Sequence, residues 1–202
     1  MVVGGPRNRL ITSAIELMCE RGVHATGLAE LLERSGTARR SIYQHFPGGK
    51  SELMEQATRA AGQHIVRQLE GFFARGTPES GVEALIDDWI ASLRSTGYAR
   101  GCPILAAAQA GPDEPAIQAA AAEAFTVWNN QFFEAFVASG TPREAAAVIA
   151  DITVSTVEGA IVHSRALRST TPLANARTML VRLIAASRID QPEAVAEVDR
   201  AM

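Results

Sequence analysis

The chain has 202 residues, 47% apolar, 20% charged and 5% aromatic, with 16 Gly, 9 Pro and 2 Cys. This composition supplies a packed core and excludes disordered, collagen-like and disulfide-framed classes, and a net charge of −3 excludes a uniformly basic nucleic-acid coat. The charge is uneven: residues 1–60 carry eight Arg or Lys against six acids, and residues 61–202 carry eleven against sixteen. A basic head on an acidic body is the pattern expected when one end of a protein meets nucleic acid.

Strand signals are nearly absent and helix signals dense, so the expected fold is all-α. Leu10, Ala14 and Leu17, flanked by Ile11, Ile15 and Met18, form a wide apolar stripe on a first helix of about 7–21, ended by Gly22. Leu28, Leu31 and Leu32 mark a short second helix stopped at Gly36. Ala38, Ile42 and Phe46 share one face of a third, ended by Pro47-Gly48-Gly49. A long helix over about 50–75 follows, with Leu53, Ala57, Ile65 and Leu69 in register. At 1.5 Å per residue it spans roughly 37 Å, enough to join two domains.

Thr77-Pro78, Thr141-Pro142 and Thr171-Pro172 then punctuate the chain. Thr caps free N–H groups and Pro suits a first helical turn; at Thr141 a capping box with Glu144 is predicted. Helices are expected at about 78–96, 103–110, 113–139, 142–168 and 172–188, with a loose polar tail over 189–202.

Cys19 and Cys102 lie far apart at spacings that suit no metal, and are read as reduced thiols. Glu16 interrupts the apolar run Leu10–Met18, so no secretory signal is expected. The most apolar segment, 145–162, contains Asp151 and Glu158. Each would cost ~2.5–3.5 kcal/mol near a bilayer centre, so no membrane association is expected and the chain is read as soluble and cytoplasmic.

The segment 26–46 carries the most chemistry. A short helix, a tight turn at Ser35-Gly36 and a second short helix, behind a longer one, have the layout of a helix-turn-helix. With Ala38, Ile42 and Phe46 buried, the opposite face presents Arg39, Arg40, Tyr43 and Gln44. Arg bonds a guanine edge twice, Gln an adenine edge, and Tyr or Lys a phosphate. Thr37 is the expected N-cap of the reading helix, and Lys50 adds charge at the start of the next. One by one these residues suit an ordinary solvated face; together, with a turn of the right length and a basic bias confined to this end, they favour duplex DNA.

Residues 25–53, ATGLAELLERSGTARRSIYQHFPGGKSEL, resemble the DNA-binding segment of TetR-family transcriptional regulators. The shared features are Thr26, the Leu31-Leu32 pair, Gly36 in the turn, the Tyr43-x-His45-Phe46 end of the reading helix, and Lys50 and Leu53 at the family spacing. The Phe46-Pro47-Gly48-Gly49-Lys50 junction, with Gly101-Cys102-Pro103, Val157-Glu158-Gly159-Ala160 and Ser164-Arg165-Ala166, resembles the LmrA/YxaF-like subgroup. One departure stands out: relatives often carry Gly where this chain has Arg40.

The resemblance implies a DNA-binding domain over 1–50, a helical effector-binding and dimerisation domain over 51–188 reached through the long helix, and a homodimeric repressor of a palindromic duplex operator, released by a small hydrophobic effector. It assigns Thr26, Tyr43 and Lys50 to phosphate and Thr37, Arg39, Arg40, Ser41 and Gln44 to base edges; His45 either touches phosphate or packs under Pro47. In the body, Trp89, Cys102, Gln109, Phe125, Trp128, Phe132 and His163 are the expected ligand set, although plain core packing accounts equally for the aromatic members. Cys102, Gln109, Glu158 and His163 could supply polarity to such a pocket; against that, Cys102 is read as a small buried residue, His163 as a satisfied interface histidine and Glu158 as locally hydrogen-bonded. Val157, Ala160, Ile161, Leu180, Leu183 and Ile184 are expected at an isologous four-helix dimer interface.

Enzyme chemistry finds no support. No Glu lies three residues before His24, His45, His64 or His163, as a di-iron bundle requires, and no phosphate loop or nucleophile elbow is present. No cofactor or metal is expected. The remaining alternative is a helical interaction module that has lost DNA binding.

Overall fold

A computed structural model describes residues 4–74 and 76–188; the predicted tail over 189–202 lies outside the described residues. Among the described residues the regular elements are all helices: α1 (Pro6–Arg21), α2 (Leu28–Ser35), α3 (Arg39–His45), α4 (Gly49–Phe73), α5 (Pro78–Ser95), α6 (Pro103–Ala108), α7 (Pro115–Ala138), α8 (Arg143–Leu167) and α9 (Thr171–Ala186). The fold is all-α, as expected, and the element order agrees with the periodicity.

In α1, Leu10, Ala14, Leu17 and Met18 are buried, and Gly22 closes the helix at φ 83° with its N–H on Met18 O. Helix α4 packs against α1 and α3 and also against α5, α6 and α7, so one rod connects the small N-terminal helices to the larger bundle. The α4–α7 approach is close because both sides are small. A Cβ on Gly62 would lie 2.9 Å from that of Ala124, closer than real Cβ contacts allow. Phe73 of α4 meets Phe132 of α7 edge-on at 5.4 Å, and within α7 Phe125 meets Trp128 at 5.2 Å.

Local chemistry differs from expectation at several caps. Thr77 caps α5 as predicted, its hydroxyl accepting from Ser80 N–H at 3.3 Å. Thr141 forms no capping box: it is buried, its hydroxyl pairs with Ser187 Oγ at 3.2 Å, and α8 begins after Pro142. Thr171 is the first residue of α9, not its cap, and its own N–H is bonded by Ser169 Oγ. In both cases a tertiary or neighbouring hydroxyl takes the group that the local pattern assigned to the helix end.

Helix α8 is long and apolar enough to cross a membrane by length and composition alone. In the fold one side packs on α7 and α9. Its other side still shows Val148, Ile152 and Val162 to solvent, and α9 shows Met179 and Leu183.

Candidate nucleic-acid interface and effector pocket

The α2–α3 unit is a helix-turn-helix whose turn is fixed by backbone bonds. Gly36 sits in the left-handed region (φ 58°, ψ 37°), where its N–H meets Leu32 O and Glu33 O, and Thr37 N–H follows onto Leu32 O at 3.1 Å. A left-handed residue at a helix end favours Gly because a Cβ clashes there. The Arg9 guanidinium donates to Ser35 O at 2.9 Å and holds the turn on α1. Ion pairs Arg34–Glu20 (2.8 Å) and Arg21–Glu30 (2.7 Å) join α2 to α1; the Arg34 bond holds the Glu20 carboxyl below its ordinary range. Ile42 and Phe46 are fully buried and lock α3 in place, with the Arg7 guanidinium 5.5 Å from the Phe46 ring centroid.

The placement of the predicted DNA residues follows from that packing. Arg39, Arg40, Tyr43 and Gln44 are exposed on one outward face of α3, with Tyr43 53% exposed. Ser41, His45, Thr37 and Lys50 are half-buried around it. Most other basic side chains of the head are engaged internally: Arg7 with Gln56, Arg9 with Ser35, Arg21 and Arg34 with glutamates, Arg59 with Glu55 and Glu123. Among the described residues, Arg39, Arg40 and Lys50 make no ion pair, and Arg7 and Arg9 bond only neutral groups, so the unneutralised charge lies on α3 and at the starts of α1 and α4. That is the arrangement a polyanion reads.

Three details depart from the sequence reading. Thr26 is buried, its hydroxyl donating to Gly22 O at 2.7 Å, and it precedes the N-cap Gly27; in this conformation its side chain is not presented to a phosphate. Thr37 does not cap α3: the cap position is Ala38, while the Thr37 hydroxyl pairs with Ser35 Oγ at 2.7 Å. Ala38 is exposed rather than buried, because α3 begins one residue beyond it.

The expected ligand set divides. Gln109, Phe125 and His163 line a pocket of about 810 Å³ between α6, α7 and α8. Trp128 and Phe132 instead border a void of about 30 Å³, too small for an effector, as does Trp89, which also lines a separate cavity of about 250 Å³ with Ile15, His64 and Leu85. Cys102 is buried and lines none of these cavities, its thiol pushed far up by burial and then by the neighbouring Glu158 carboxylate, so it is a protonated core group. Glu158 and Val154 line both the pocket and the void. Burial raises the Glu158 carboxyl to about 7, against a smaller lowering by the Cys102 thiol bond, and its Oε2 has no partner. Although five residues apart, Glu158 and His163 line the same pocket, because it wraps round that side of α8. Asn129, Asp151 and Ser155 complete its polar lining and were missed; Asn129 Nδ2 donates to Asp151 at 2.6 Å.

Most of the residues expected at a dimer interface lie inside the protomer. Val157, Ala160, Ile161, Leu180 and Ile184 are buried in the chain's own core, and of the expected set only Leu183 is exposed. A helix apolar on several sides does not reveal by pattern which side meets its own fold. The exposed stripe is Val148, Ile152 and Val162, in register with the small Ser155, Gly159 and Ala166.

Comparison with known proteins decides the lineage. Residues 10–57 match the family described as "Bacterial regulatory proteins, tetR family", and residues 78–179 match "Transcriptional regulator LmrA/YxaF-like, C-terminal domain". An uncharacterized HTH-type transcriptional regulator of Mycobacterium tuberculosis is 39% identical over 176 residues, covering 84% of this chain and 89% of that protein. The chain is a TetR-family transcriptional regulator of the LmrA/YxaF-like group. The HTH-type regulator LmrA of Bacillus subtilis is 26% identical over 175 residues, covering 86% and 93%. A TetR regulator from Legionella pneumophila shares the fold at TM-score 0.80 and 20% identity, over 90% of this chain and 98% of that one.

Proposed function

We propose that this TetR-family regulator acts in the cytoplasm as a homodimeric repressor that binds a palindromic operator through α3 and leaves it when a small, partly apolar effector occupies the α6–α7–α8 pocket. Residues 1–50 are the DNA-binding unit and 51–188 the effector-binding and dimerisation unit in this reading. The observation that carries it is the outward face of α3, where Arg39, Arg40, Tyr43 and Gln44 stand exposed while most neighbouring guanidinium groups are internally paired.

In this role Arg39, Arg40, Gln44, Ser41 and Thr37 reach base edges, and Tyr43, Lys50 and His45 reach phosphates. Two reading helices set about 34 Å apart by a symmetric dimer enter successive major grooves. The apolar stripe of Val148, Ile152 and Val162 on α8, with Met179 and Leu183 on α9, supplies the self-complementary surface that such a dimer needs. The small residues between them let the paired α8 helices approach.

A mobility-shift titration of the purified full chain on duplex DNA from upstream of its own gene tests the reading. A retarded band is expected whose apparent affinity falls steeply with salt, because counterions leave each contacted phosphate. No retarded species at low salt ends it.

A further inference from the structure

We propose that the pocket between α6, α7 and α8 takes an organic cation, an apolar body carrying a protonated amine, with Glu158 as its counter-charge. This rests on the reading of that pocket as the effector site and names the class of effector.

The polar lining is acceptor-rich and acidic. Glu158 and Asp151 are both carboxylates, and no Lys or Arg lines the pocket. Two acceptors there are buried without a partner, Glu158 Oε2 and Asn129 Oδ1, although Glu158 is nine-tenths enclosed. Native folds seldom leave buried acceptors unpaired, and a buried carboxylate least of all. A ligand bringing N–H donors and a positive charge completes both once the Glu158 and Asn129 side chains turn these enclosed oxygens toward the lumen. An anion meets two like charges, and a neutral acceptor leaves the two oxygens as they are.

The apolar lining fits the rest of such a molecule. Leu105, Val154 and Val162 supply aliphatic surface, and the half-buried Phe125 ring supplies a face on which an ammonium group can rest. The volume of about 810 Å³ lies within the range of drug-sized sites. Ser155, Gly159, Val162 and Ala166 line the pocket and belong to the α8 stripe assigned above to the second protomer, so in the proposed dimer the partner's α8 closes that side of it.

The proton competes with the cation. In the free protein Glu158 titrates near about 7, so an amine that requires the ionised form binds more weakly as pH falls below that value and levels off above it. The other ionisable groups at the pocket are Asp151 and His163 on α8, with Cys102 behind it; α6 and α7 present only neutral side chains there.

The test is calorimetric titration of the full chain with 1-naphthylmethylamine and its neutral near-isostere 1-naphthalenemethanol. At about pH 8 the amine is expected to bind at least about tenfold more tightly than the alcohol, and about tenfold more weakly at pH 6 than at pH 8. Glu158→Gln removes the amine's advantage and leaves the alcohol unchanged. Asp151→Asn, an exposed change that keeps an acceptor for Asn129, removes part of it. Equal affinities for amine and alcohol, no amine binding, or a preference that survives Glu158→Gln overturns the proposal. Operator binding is read separately. Amine binding with this signature but no effect on operator affinity upholds the site and overturns effector release; a chain that retards its operator yet ignores the amine loses only the cation assignment.

Discussion

Glu158 makes a stability prediction that needs neither DNA nor ligand. Its carboxyl ordinarily titrates near 4.5 and in the folded chain near about 7, because burial disfavours the charged form. Between those values the unfolded chain releases a proton that the folded chain retains. The stability associated with this group is therefore complete below about pH 4.5 and is lost as pH rises through about 7. At 1.36 kcal/mol per tenfold, the loss reaches about 3 kcal/mol on the alkaline side. Glu158→Gln keeps the size and an oxygen for the Cys102 thiol but never ionises. The variant should match the native chain to within about 1 kcal/mol at pH 4.5 and exceed it by up to about 3 kcal/mol at pH 8. Urea unfolding of both proteins, at one fixed concentration because dimers unfold with mass action, measures the difference directly. Every other titrating group is common to both and cancels. Parallel stability curves across this range would refute the buried, unpartnered state of the carboxylate.

At the head, Arg39→Ala with Arg40→Ala should weaken operator binding by about 1–3 kcal/mol for each base edge left unbonded. Thermal unfolding should shift by less than about 0.5 kcal/mol, since both side chains are exposed and unpaired; anisotropy with a labelled duplex reads the first effect, and unchanged affinity rejects α3 as the reader. Tyr43→Phe should lower affinity by a similar factor on every operator tested, and a decrease confined to one sequence contradicts a phosphate role. Ile152 is 41% exposed on α8, so Ile152→Glu should leave the protomer folded and yield monomers by light scattering, whereas a persistent dimer moves the interface elsewhere. Arg165→Ala removes donors to Ala99 O (2.8 Å) and Glu20 O (3.4 Å) and should destabilise the fold by about 1–3 kcal/mol in urea.

The head was more legible in the sequence than the body, for physical reasons. A helix-turn-helix is local: the left-handed turn needs Gly36, two buried anchors at Ile42 and Phe46 fix the rotation of α3, and the outward residues follow from the 3.6-residue period. Its errors concern groups with a nearby competitor. The Thr26 hydroxyl found Gly22 O, and that of Thr37 found Ser35, before either reached the role the pattern suggested. In the body the deciding contacts are between helices. Alanine-rich α7 and α8 are apolar on most sides, so the sequence did not say that Val157 and Ile161 face inward while Val148 and Ile152 face out. The pocket is built from side chains on three helices, and its chief signal, an acid at position 158 within an apolar run, was visible but read as locally satisfied.

How a ligand beside Glu158 reaches α3 can be argued from what holds the end of α1. The carbonyls of Cys19 and Glu20, in the last turn of α1, are bound from the body by Gly101 N–H (2.8 Å) and by Arg165 of α8. A Cβ at position 101 would lie 2.5 Å from Arg165 Nη1, so a larger residue there would push the guanidinium out of its present place in the clasp. Cys102, the next residue, neighbours Glu158, and Arg165 lies seven residues beyond Glu158 on α8, about 10 Å along the axis. On α8 Arg165 is next to Ala166, which lines the pocket, and Gly101 lies four residues before Leu105, which also lines it. Helix α1 in turn carries α2 through Arg34 and Arg21 and the turn through Arg9, and under the proposed effector release a displacement of its last turn would carry the reading helix with it. The two binding events must then be linked reciprocally: whatever factor the amine takes from operator affinity, saturating operator takes from amine affinity. Titrating the amine with and without operator measures both factors. Unequal factors at equilibrium would place a third binding event between them, and factors of one would mean that the clasp transmits nothing.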